Sequence, residues 1–389
     1  MAARAQASFW SDPRVRGVVT QAALVLVVGA VFWAGGRNAL LNMRARGIPV
    51  DFGFWSNPAG FEINQRLVPY SALSTYGEAF VVGLVNTLLV AAIGLVLATL
   101  LGFAIGVARL SQNWIVARLA TIYVEAIRNV PLLLQLLFWY NAVLKPLPQP
   151  RQSLALPGGV FLNNRGFMLP EPHAAPGFLL VVGALVVGIL ATLAAWVFSR
   201  RMIAQTGRGA PMGLLAIGFL IGLPLLAFAL TGAPLSFTPP VLKGFNFAGG
   251  VPIYPELVAL LLGLTLYTAA FIAEIVRAGV ASVLRGQSEA ARALGLHSGQ
   301  TMKLVVIPQA LRVIIPPLTS QYLNLIKNSS LAVFIGYPDL VQVFMGTVLN
   351  QTGAAVQVVL ITMAVYLAIS LVISAAMNVY NARVALVER

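Results

Sequence analysis

The sequence predicts an all-α fold, a polytopic transmembrane helical bundle of about eight spans. Of its 389 residues, 59% are hydrophobic and only 9% are charged. So few polar residues cannot coat a soluble globule of this size. Apolar segments also recur along the chain, and they have the length of about 20 residues that a helix needs to cross a bilayer. The chain therefore belongs in a membrane.

Six segments are long and apolar enough to be predicted as spans without further argument. Two weaker segments carry prolines and polar side chains, and counting each as one span places both termini on the same side. Pro316, Pro317 and Pro338 predict that the second weak segment is not one ordinary helix. The clear spans are 17–36, 80–107, 178–198, 212–230, 257–276 and 358–377, and the weaker ones are 129–144 and 309–345.

The charges of the loops predict the orientation of the chain. Most of the 25 Lys and Arg residues fall in loops on the side of the N-terminus, which the positive-inside rule makes cytoplasmic. We therefore predict a multi-pass membrane protein with both termini in the cytoplasm. A secretory signal is the alternative for the first apolar segment. Its long apolar run and bulky Phe32 and Trp33 favour a span.

Composition excludes several function classes. The chain has no cysteine, which excludes disulfides and thiolate sites, and its two histidines, His173 and His297, are too far apart to suggest a metal site. The net charge of +14 is scattered between apolar segments, which favours anchoring to the lipid bilayer over binding of nucleic acid. The sequence has no phosphate-binding G-x-x-x-x-G-K-[ST] pattern and no catalytic constellation, so we expect neither a bound cofactor nor an enzyme.

The segment 289–308, EAARALGLHSGQTMKLVVIP, is a charged island between apolar segments. Its first six residues are strong helix formers, and Glu289 is placed in a first turn, where the helix dipole favours an anion. Gly295 is positioned for a left-handed C-terminal cap, and Ser298 can cap a second short helix. Small Ala290 and Ala291 would let a partner surface approach closely. The pattern predicts a compact helix–turn–helix; an ordinary amphipathic connector is the alternative.

This island resembles the cytoplasmic EAA loop of ABC importer permeases. The resemblance rests on the Glu-Ala-Ala triplet, the glycine that follows it, and Val305-x-Ile307-Pro308 at the spacing of that family. In that family the loop is where the membrane subunit meets its ATPase. The resemblance therefore implies a structural role for Pro308 and an ATPase-coupling role for six residues: Glu289, Ala290, Ala291, Arg292, Gly295 and Leu296.

A second resemblance covers 123–135, with the pattern Y-x-E-x-x-R-x-x-P-L-L-x-Q of importers of polar amino acids. Glu125 and Arg128 stand three residues apart, so they can pair at the cytoplasmic rim of a helix, and Pro131 follows them. We expect these three residues to be structural or gating residues; an interfacial anchor pair is the alternative. Gln135 lies deeper, where an amide needs a partner or a polar cavity, and we predict it to contact substrate.

The segment 264–279, LTLYTAAFIAEIVRAG, is again typical of amino-acid ABC permeases. Glu274 and Arg277 repeat the three-residue spacing near the inner surface, directly before the EAA loop. Their predicted role is structural, because they would fix how that loop leaves the membrane. The alternative is a direct role of this pair in coupling the permease to its ATPase.

The segment 325–331, LIKNSSL, resembles the K-[DN]-[TS]-S-L segment of the same family. A Lys in the middle of a membrane costs about 2.5 to 3.5 kcal/mol, so Lys327 should face a cavity, water or a carboxylate. Unwound backbone beside Asn328, Ser329 and Ser330 would offer amides and hydroxyls to a zwitterionic ligand. We predict these four residues to bind substrate. The alternative is a Lys327 that reaches an interface or ties the subunit together.

Together these resemblances identify the chain as a permease subunit of an ABC importer of amino acids, of the long type found in general L-amino acid importers. The family implies a location in the bacterial inner membrane and alternating access. Its substrates would be polar or acidic amino acids, glutamate, glutamine and aspartate among them, or a broader range of L-amino acids. It also implies four kinds of partner: a related second permease, two cytoplasmic ATPases that hold ATP and Mg, a periplasmic binding protein and the bilayer. The predicted regions are 1–77 (tail, extra span and periplasmic loop), 78–144 (first core part), 145–251 (inserted loops and two extra spans) and 252–389 (second core part with the EAA loop).

Two rival functions remain open from the sequence. A permease for another small solute, such as an opine or a peptide, would share the EAA loop. An ion-coupled secondary transporter would need no ATPase but would need inverted repeats and intramembrane acidic sites. Of the eleven acidic residues, none lies in the middle of a clear span.

Overall fold

The computed structural model describes residues 13–206 and 209–384. The predicted cytoplasmic tail before residue 13 and the last five residues therefore lie outside the described residues. The α-helices of the described part are α1 (Pro13–Ala45), α2 (Tyr76–Ala108), α3 (Trp114–Asn129), α4 (Leu132–Leu137), α5 (Phe178–Thr206), α6 (Met212–Ile217), α7 (Leu223–Leu230), α8 (Pro255–Ala281), α9 (Arg285–Ala293), α10 (Ser298–Thr301), α11 (Ile307–Asn328), α12 (Leu349–Thr352) and α13 (Ala355–Val384).

The helical membrane fold predicted from the sequence is confirmed. Seven helices of the described part are long and apolar enough to cross a membrane, and the count rises to 8 if one bent pair is a single span. The bent pair is α3 followed by 132–144, and its two parts meet at 103°. This pair corresponds to the first of the two weaker segments.

The second weak segment is more regular than its prolines predicted. Pro316 and Pro317 both lie inside α11, which runs unbroken from Ile307 to Asn328. The prediction that this segment is not one ordinary helix is confirmed, but Pro316 and Pro317 are not where regular helix ends. Membrane helices tolerate prolines because neighbouring helices and side chains stabilise the freed carbonyls. Regular α-helix stops only at Ser329–Ile335, a 3-10 segment, and a π-helical segment, Val341–Val348, follows.

The described residues form two compact units. The first comprises the chain up to Gln135 together with the chain from Leu260 onward, and the second is Leu136–Ala259. The second unit contains the predicted insertion 145–251 and extends beyond it in sequence at both ends. Because the first unit is built from both halves of the sequence, its core joins residues far apart in the chain.

One core cluster of the first unit contains the loop between α1 and α2. Phe54, Tyr70 and Tyr76 pack with Phe344 and Val358 in this cluster. Thr75 begins α2 with a capping box, in which its side chain accepts from the Glu78 amide and Glu78 accepts from the Thr75 amide. The loop, which the sequence predicted only as a Pro- and Gly-rich connection, is thus an ordered part of the fold.

The second unit combines membrane helices with short strands. Its helix α5 packs against α6 and α7 and against the π-helical segment between them, Gly218–Gly222. The flanking segments, which the sequence predicted as inserted loops, contain short strands. Their eight strands are β1 (Leu154–Leu156), β2 (Val160–Asn163), β3 (Gly166–Leu169), β4 (Glu171–Ala174), β5 (Leu235–Thr238), β6 (Val241–Lys243), β7 (Asn246–Ala248) and β8 (Val251–Ile253).

The strands pair antiparallel throughout. One sheet has the order β1-β2-β3-β8, and β4-β5 and β6-β7 form two separate pairs. Phe167 pairs with Ile253, so the sheet joins segments on both sides of the α5–α7 helices. Strand β8 ends two residues before α8 begins. We call this strand-rich part of the second unit the β layer.

Candidate functional site

The predicted coupling segment, the EAA-like island 289–308, is a helix–turn–helix. Helix α9 ends at Ala293, and Gly295 takes the left-handed conformation at φ +82°, where a side chain would be strained. The Leu296 amide donates back to the Ala291 carbonyl at 3.1 Å, which closes the turn. The prediction of a glycine-capped turn is confirmed. The prediction of a short second helix is wrong, because α10 continues through the π-helical segment Met302–Val306 into α11, and Ser298–Ile335 is one helical stretch of 38 residues.

Two details of this segment differ from the sequence prediction. Helix α9 begins at Arg285, so Glu289 lies in its second turn and not in its first. His297, not Ser298, caps α10: its Nδ1 accepts from the Gln300 amide at 3.4 Å and Gln300 Oε1 accepts from the His297 amide at 3.2 Å. The His297 backbone is extended, and this makes it the capping position.

The coupling segment presents one face to solvent. Glu289, Ala290 and Arg292 are exposed, whereas Ala291 is buried. Leu294 is 83% exposed beside the glycine turn. Ala291 therefore packs inward instead of offering its small surface to a partner, and the exposed face is a ridge with an apolar tip. Pro308 lies in the first turn of α11, directly after the π-helical segment Met302–Val306.

Glu274 and Arg277, directly upstream, pair as predicted. Arg277 Nη2 donates to Glu274 Oε1 at 2.6 Å, and Arg109 at the end of α2 donates to Glu274 Oε2. The carboxylate thus binds two guanidinium groups and ties α2 to α8. Sequence reasoning missed Arg109, although its place directly after a long apolar span was a usable signal.

Glycines let the three inner helices approach closely. A Cβ on Gly106 would lie 2.7 Å from the Val276 Cβ and 2.9 Å from the Ala273 carbonyl oxygen. A Cβ on Gly102 would lie 2.6 Å from the Ile272 Cβ, and one on Gly279 would overlap Ile314 of α11. Small residues at helix interfaces let backbones pack at short range in membranes. Helices α2, α8 and α11 therefore form a tight core beside the coupling segment.

Glu125 and Arg128 do not pair as predicted. Among the described residues, Arg128 places its guanidinium 4.9 Å from the ring centroid of Phe271 on α8, and Glu125 is exposed with no ion pair. A ring face attracts the guanidinium and fixes it away from the carboxylate. Tyr123 also reaches α8, because its hydroxyl donates to the Leu266 carbonyl at 2.7 Å. The segment thus ties α3 to α8.

Gln135 stabilises the bend between α3 and α4. Pro131 precedes α4 at the break, and Gln135 Nε2 donates at 2.9 Å to the carbonyls of Ile127 and Val130, at the end of α3. Its Oε1 is buried and has no hydrogen-bond partner in the part of the chain that the structure describes. The sequence predicted that this amide needs a partner or a polar cavity, and backbone carbonyls supply the partners of its Nε2. A contact of Gln135 with substrate stays a prediction.

The Lys327 segment lies where α11 becomes a 3-10 helix. The predicted loss of regular helix occurs here, but the serine hydroxyls bind their own chain: Ser329 Oγ donates to Ile326 O at 2.8 Å and Ser330 Oγ to Lys327 O at 2.6 Å. Ser329 is fully buried, Asn328 is half-buried and Lys327 is exposed. Within the described residues Lys327 has no carboxylate partner. Substrate binding by these four residues stays a prediction, and Lys327 is the most accessible of them.

A buried polar network holds the chain just after this segment, and sequence reasoning missed it. Asn86 Nδ2 donates to Pro338 O at 2.9 Å, and Thr87 Oγ1 accepts from the Leu340 amide at 3.0 Å. Tyr366 on α13 donates to Asp339 Oδ2 at 3.2 Å, and Asp339 is fully buried. The adjacent Asn and Thr within the long apolar run of α2 were a usable signal. The network connects α2 and α13 to the residues 338–340, which follow the Lys327 segment.

Comparison with known proteins places this architecture in a family. The family described as "Binding-protein-dependent transport system inner membrane component" matches residues 94–386. The General L-amino acid transport system permease protein AapQ of Rhizobium johnstonii is 50% identical, with 97% of this chain and 94% of AapQ covered. The Glutamate/glutamine/aspartate/asparagine transport system permease protein BztB of Rhodobacter capsulatus is 42% identical, with 97% of this chain and 96% of BztB covered.

A second Rhodobacter capsulatus protein, the permease BztC of the same named system, is 34% identical over 54% of this chain and 45% of its own length. The family match covers far more than half of the chain and includes α8, the coupling segment and α11. The chain therefore belongs to the family of binding-protein-dependent transport system inner membrane components, the permease subunits of ABC importers.

Proposed function

We propose that this chain is the membrane-spanning permease subunit of an ATP-driven importer that moves L-amino acids, polar or acidic ones among them, into the cytoplasm. The observation that carries the proposal is the exposed ridge of the coupling segment, Glu289 to Gly295, on top of a glycine-packed helical core. The substrate class rests on the printed names of AapQ and BztB, which match nearly the whole chain.

The energy for transport comes from partners in this proposal. Two cytoplasmic ATPase subunits hold ATP and Mg and bind the ridge, and this chain itself binds no cofactor. Since Leu294 is exposed at the tip of the ridge, it can enter an apolar pocket of an ATPase. Closure of the ATPases moves α9 and α10, and the spans then reorient so that the cavity opens inward. This alternating access requires only that the outward-open and inward-open states differ in how tightly they bind their partners.

The proposed assembly also contains a second permease and an extracytoplasmic binding protein. BztB and BztC, two permeases of one named system, both resemble this chain, which supports a related but non-identical partner. Orientation follows from the loop charges: the coupling segment and both termini are cytoplasmic, and the β layer is outside. Lys327, the accessible cation beside the 3-10 segment, is the proposed contact for a substrate carboxylate.

The test compares two exposed glycines, Gly295 in the coupling segment and Gly286 just before it in α9. In the reconstituted importer, Gly295→Asp places a side chain on a left-handed residue, whereas Gly286→Asp adds the same charge to α9 at a glycine with open space and an ordinary backbone. We expect Gly295→Asp to lower ATP-dependent uptake at least about tenfold, because reshaping this turn misplaces the ridge. Gly286→Asp should stay within about twofold.

The readouts are co-purification with the ATPases and uptake of labelled glutamate, glutamine and aspartate with the binding protein present. Wild-type ATPase co-purification without uptake of any amino acid would refute the substrate class and leave the permease assignment standing. Equal uptake by both variants would refute the role of the ridge.

A further inference from the structure

The β layer carries a fixed pair of basic and aromatic side chains. The Arg151 guanidinium lies 4.0 Å from the ring centroid of Phe245, and its Nε donates to the Gly244 carbonyl at 3.1 Å. Phe245 lies at the tip of the β6–β7 pair and is 73% exposed. A guanidinium held by a ring and a carbonyl loses little side-chain entropy when it binds a second partner.

A small pocket lies next to this pair. Its volume is about 230 Å³, and its lining contains Arg165, Asn246, Phe247, Tyr254 and Pro150. Pro150 precedes Arg151 and Asn246 follows Phe245, so the pocket and the stacked pair are neighbours. A guanidinium, an amide and a phenol around an apolar wall suit a carboxylate-bearing side chain.

Internal hydrogen bonds hold the pocket in shape. Ser153 Oγ donates to the Pro150 carbonyl at 2.7 Å, and Asn163 Nδ2 donates to Ser153 Oγ at 2.9 Å. Asn163 Oδ1 in turn accepts from the Arg165 amide at 2.8 Å, and Asn163 is 1% exposed. The two arginines, from separate turns of the chain, are therefore anchored to one rigid scaffold.

The β layer carries an excess of basic residues. The segments 145–177 and 231–254 contain four basic residues, Lys145, Arg151, Arg165 and Lys243, and one acidic residue, Glu171. Lys243 pairs in register with Asn246, beside Phe245. Arg and aromatic side chains dominate the binding energy of protein interfaces, and a patch of one sign selects a partner of the other sign.

From these observations we infer that the basic–aromatic patch (Arg151, Arg165, Lys243 and Phe245) is a docking surface for an acidic face of the extracytoplasmic solute-binding protein. A partner carboxylate enters the pocket beside Arg165, and the partner surface covers Phe245. This inference rests on the proposed function, which supplies the class of partner and places the β layer outside.

The test reverses the two exposed arginines in the complete importer. The Arg151→Glu/Arg165→Glu double variant should raise the binding-protein concentration for half-maximal uptake at least about tenfold, with the maximal rate nearly unchanged. The matched control, Arg44→Glu/Arg46→Glu, makes the same change of charge at exposed positions of the first unit and should stay within about twofold. The difference between the variants should shrink at high salt, because screening weakens charge attraction.

Several results would overturn the docking surface. If both double variants respond to the binding protein as wild type does, the patch is not a docking site. If the arginine variant lowers uptake only in vesicles rich in anionic lipid, the patch contacts headgroups instead. If wild type itself shows no uptake that depends on a binding protein, the proposed function fails first. Should charge reversal impair folding, the milder Arg151→Gln/Arg165→Gln pair, with an expected rise of about threefold, decides the question.

Discussion

Helices α1 and α8 have the same mean hydropathy over their most apolar stretches but opposite surroundings. In α8 56% of that stretch is buried inside the described protein, and in α1 the buried share is 0%. Hydropathy therefore identifies both as spans and cannot distinguish a helix that packs on the protein from one that faces lipid or another subunit.

Small residues and polar partners make the difference. The α2 glycines that face α8 have no room for a Cβ, whereas Gly29, Gly35 and Gly36 of α1 have no atom within 4 Å of a Cβ position. The Glu274 side chain of α8 binds two arginines, while within the described residues the Asn38 and Asn42 side chains of α1 bond only to each other. Close packing in membranes thus depends on complementary shape and polar contacts more than on apolarity.

The largest expected effect comes from filling a glycine contact. Gly106→Leu should lower the free energy of unfolding by about 3 kcal/mol, because a Cβ meets Val276 and the backbone of α8. The measurement is thermal unfolding of the detergent-purified protein. Gly29→Leu on α1 is the control, with an expected change of at most about 0.5 kcal/mol. Equal destabilisation of the two variants would show that α1 packs as tightly as α8.

A smaller loss is expected when the shared carboxylate is neutralised. Glu274→Gln leaves Arg109 and Arg277 as neighbouring cations with no anion, which should cost about 2 kcal/mol. Unfolding in denaturant measures this loss. The control is Glu62→Gln, which removes the exposed pair with Arg66 and should cost about 0.5 kcal/mol or less. If Glu274→Gln is as stable as the control, the contacts of Glu274 with Arg109 and Arg277 do not stabilise the packing of α2 on α8.

The smallest expected effect uses two isosteric changes. Thr87→Val leaves the buried Leu340 amide without its acceptor and should cost about 1 to 2 kcal/mol. Thr20→Val on α1 removes only a bond from an exposed hydroxyl to its own helix, so we expect less than about 0.5 kcal/mol. Hydrogen exchange at Leu340, compared between the two variants, should show faster exchange in Thr87→Val alone. If the Leu340 amide exchanges at the same rate in Thr87→Val and in wild type, the Thr87 hydroxyl is not its hydrogen-bond acceptor.

Local chemistry explains which parts of the site were predictable. The left-handed Gly295 and the Glu274–Arg277 pair depend on residues next to each other in the sequence, and both were predicted correctly. Arg109 obtains its partner from a helix 165 residues further along the chain, and Asp339 obtains its partner 27 residues further along, so no short pattern identified them. The same reason explains Arg128, whose competing partner Phe271 lies on a different helix.

The fold shows the same division between local and distant information. Apolar length alone predicted the spans. The strands of the β layer are three or four residues long, and one sheet joins segments separated by α5 to α7, which leaves little local signal. The continuous α11 shows that proline is a weaker stop signal in a packed membrane helix than in water.

The boundary between the two compact units has a practical consequence for chimeras. The chain passes from one unit to the other at 135–136 and at 259–260, and both points lie inside helices, α4 and α8. An exchange of the second unit between homologous permeases must therefore splice helix to helix with the turn phase conserved. Each residue added or lost at such a splice rotates everything beyond it by about 100°. Donor and acceptor must consequently match in helical register, whereas a loop splice would tolerate a change of length.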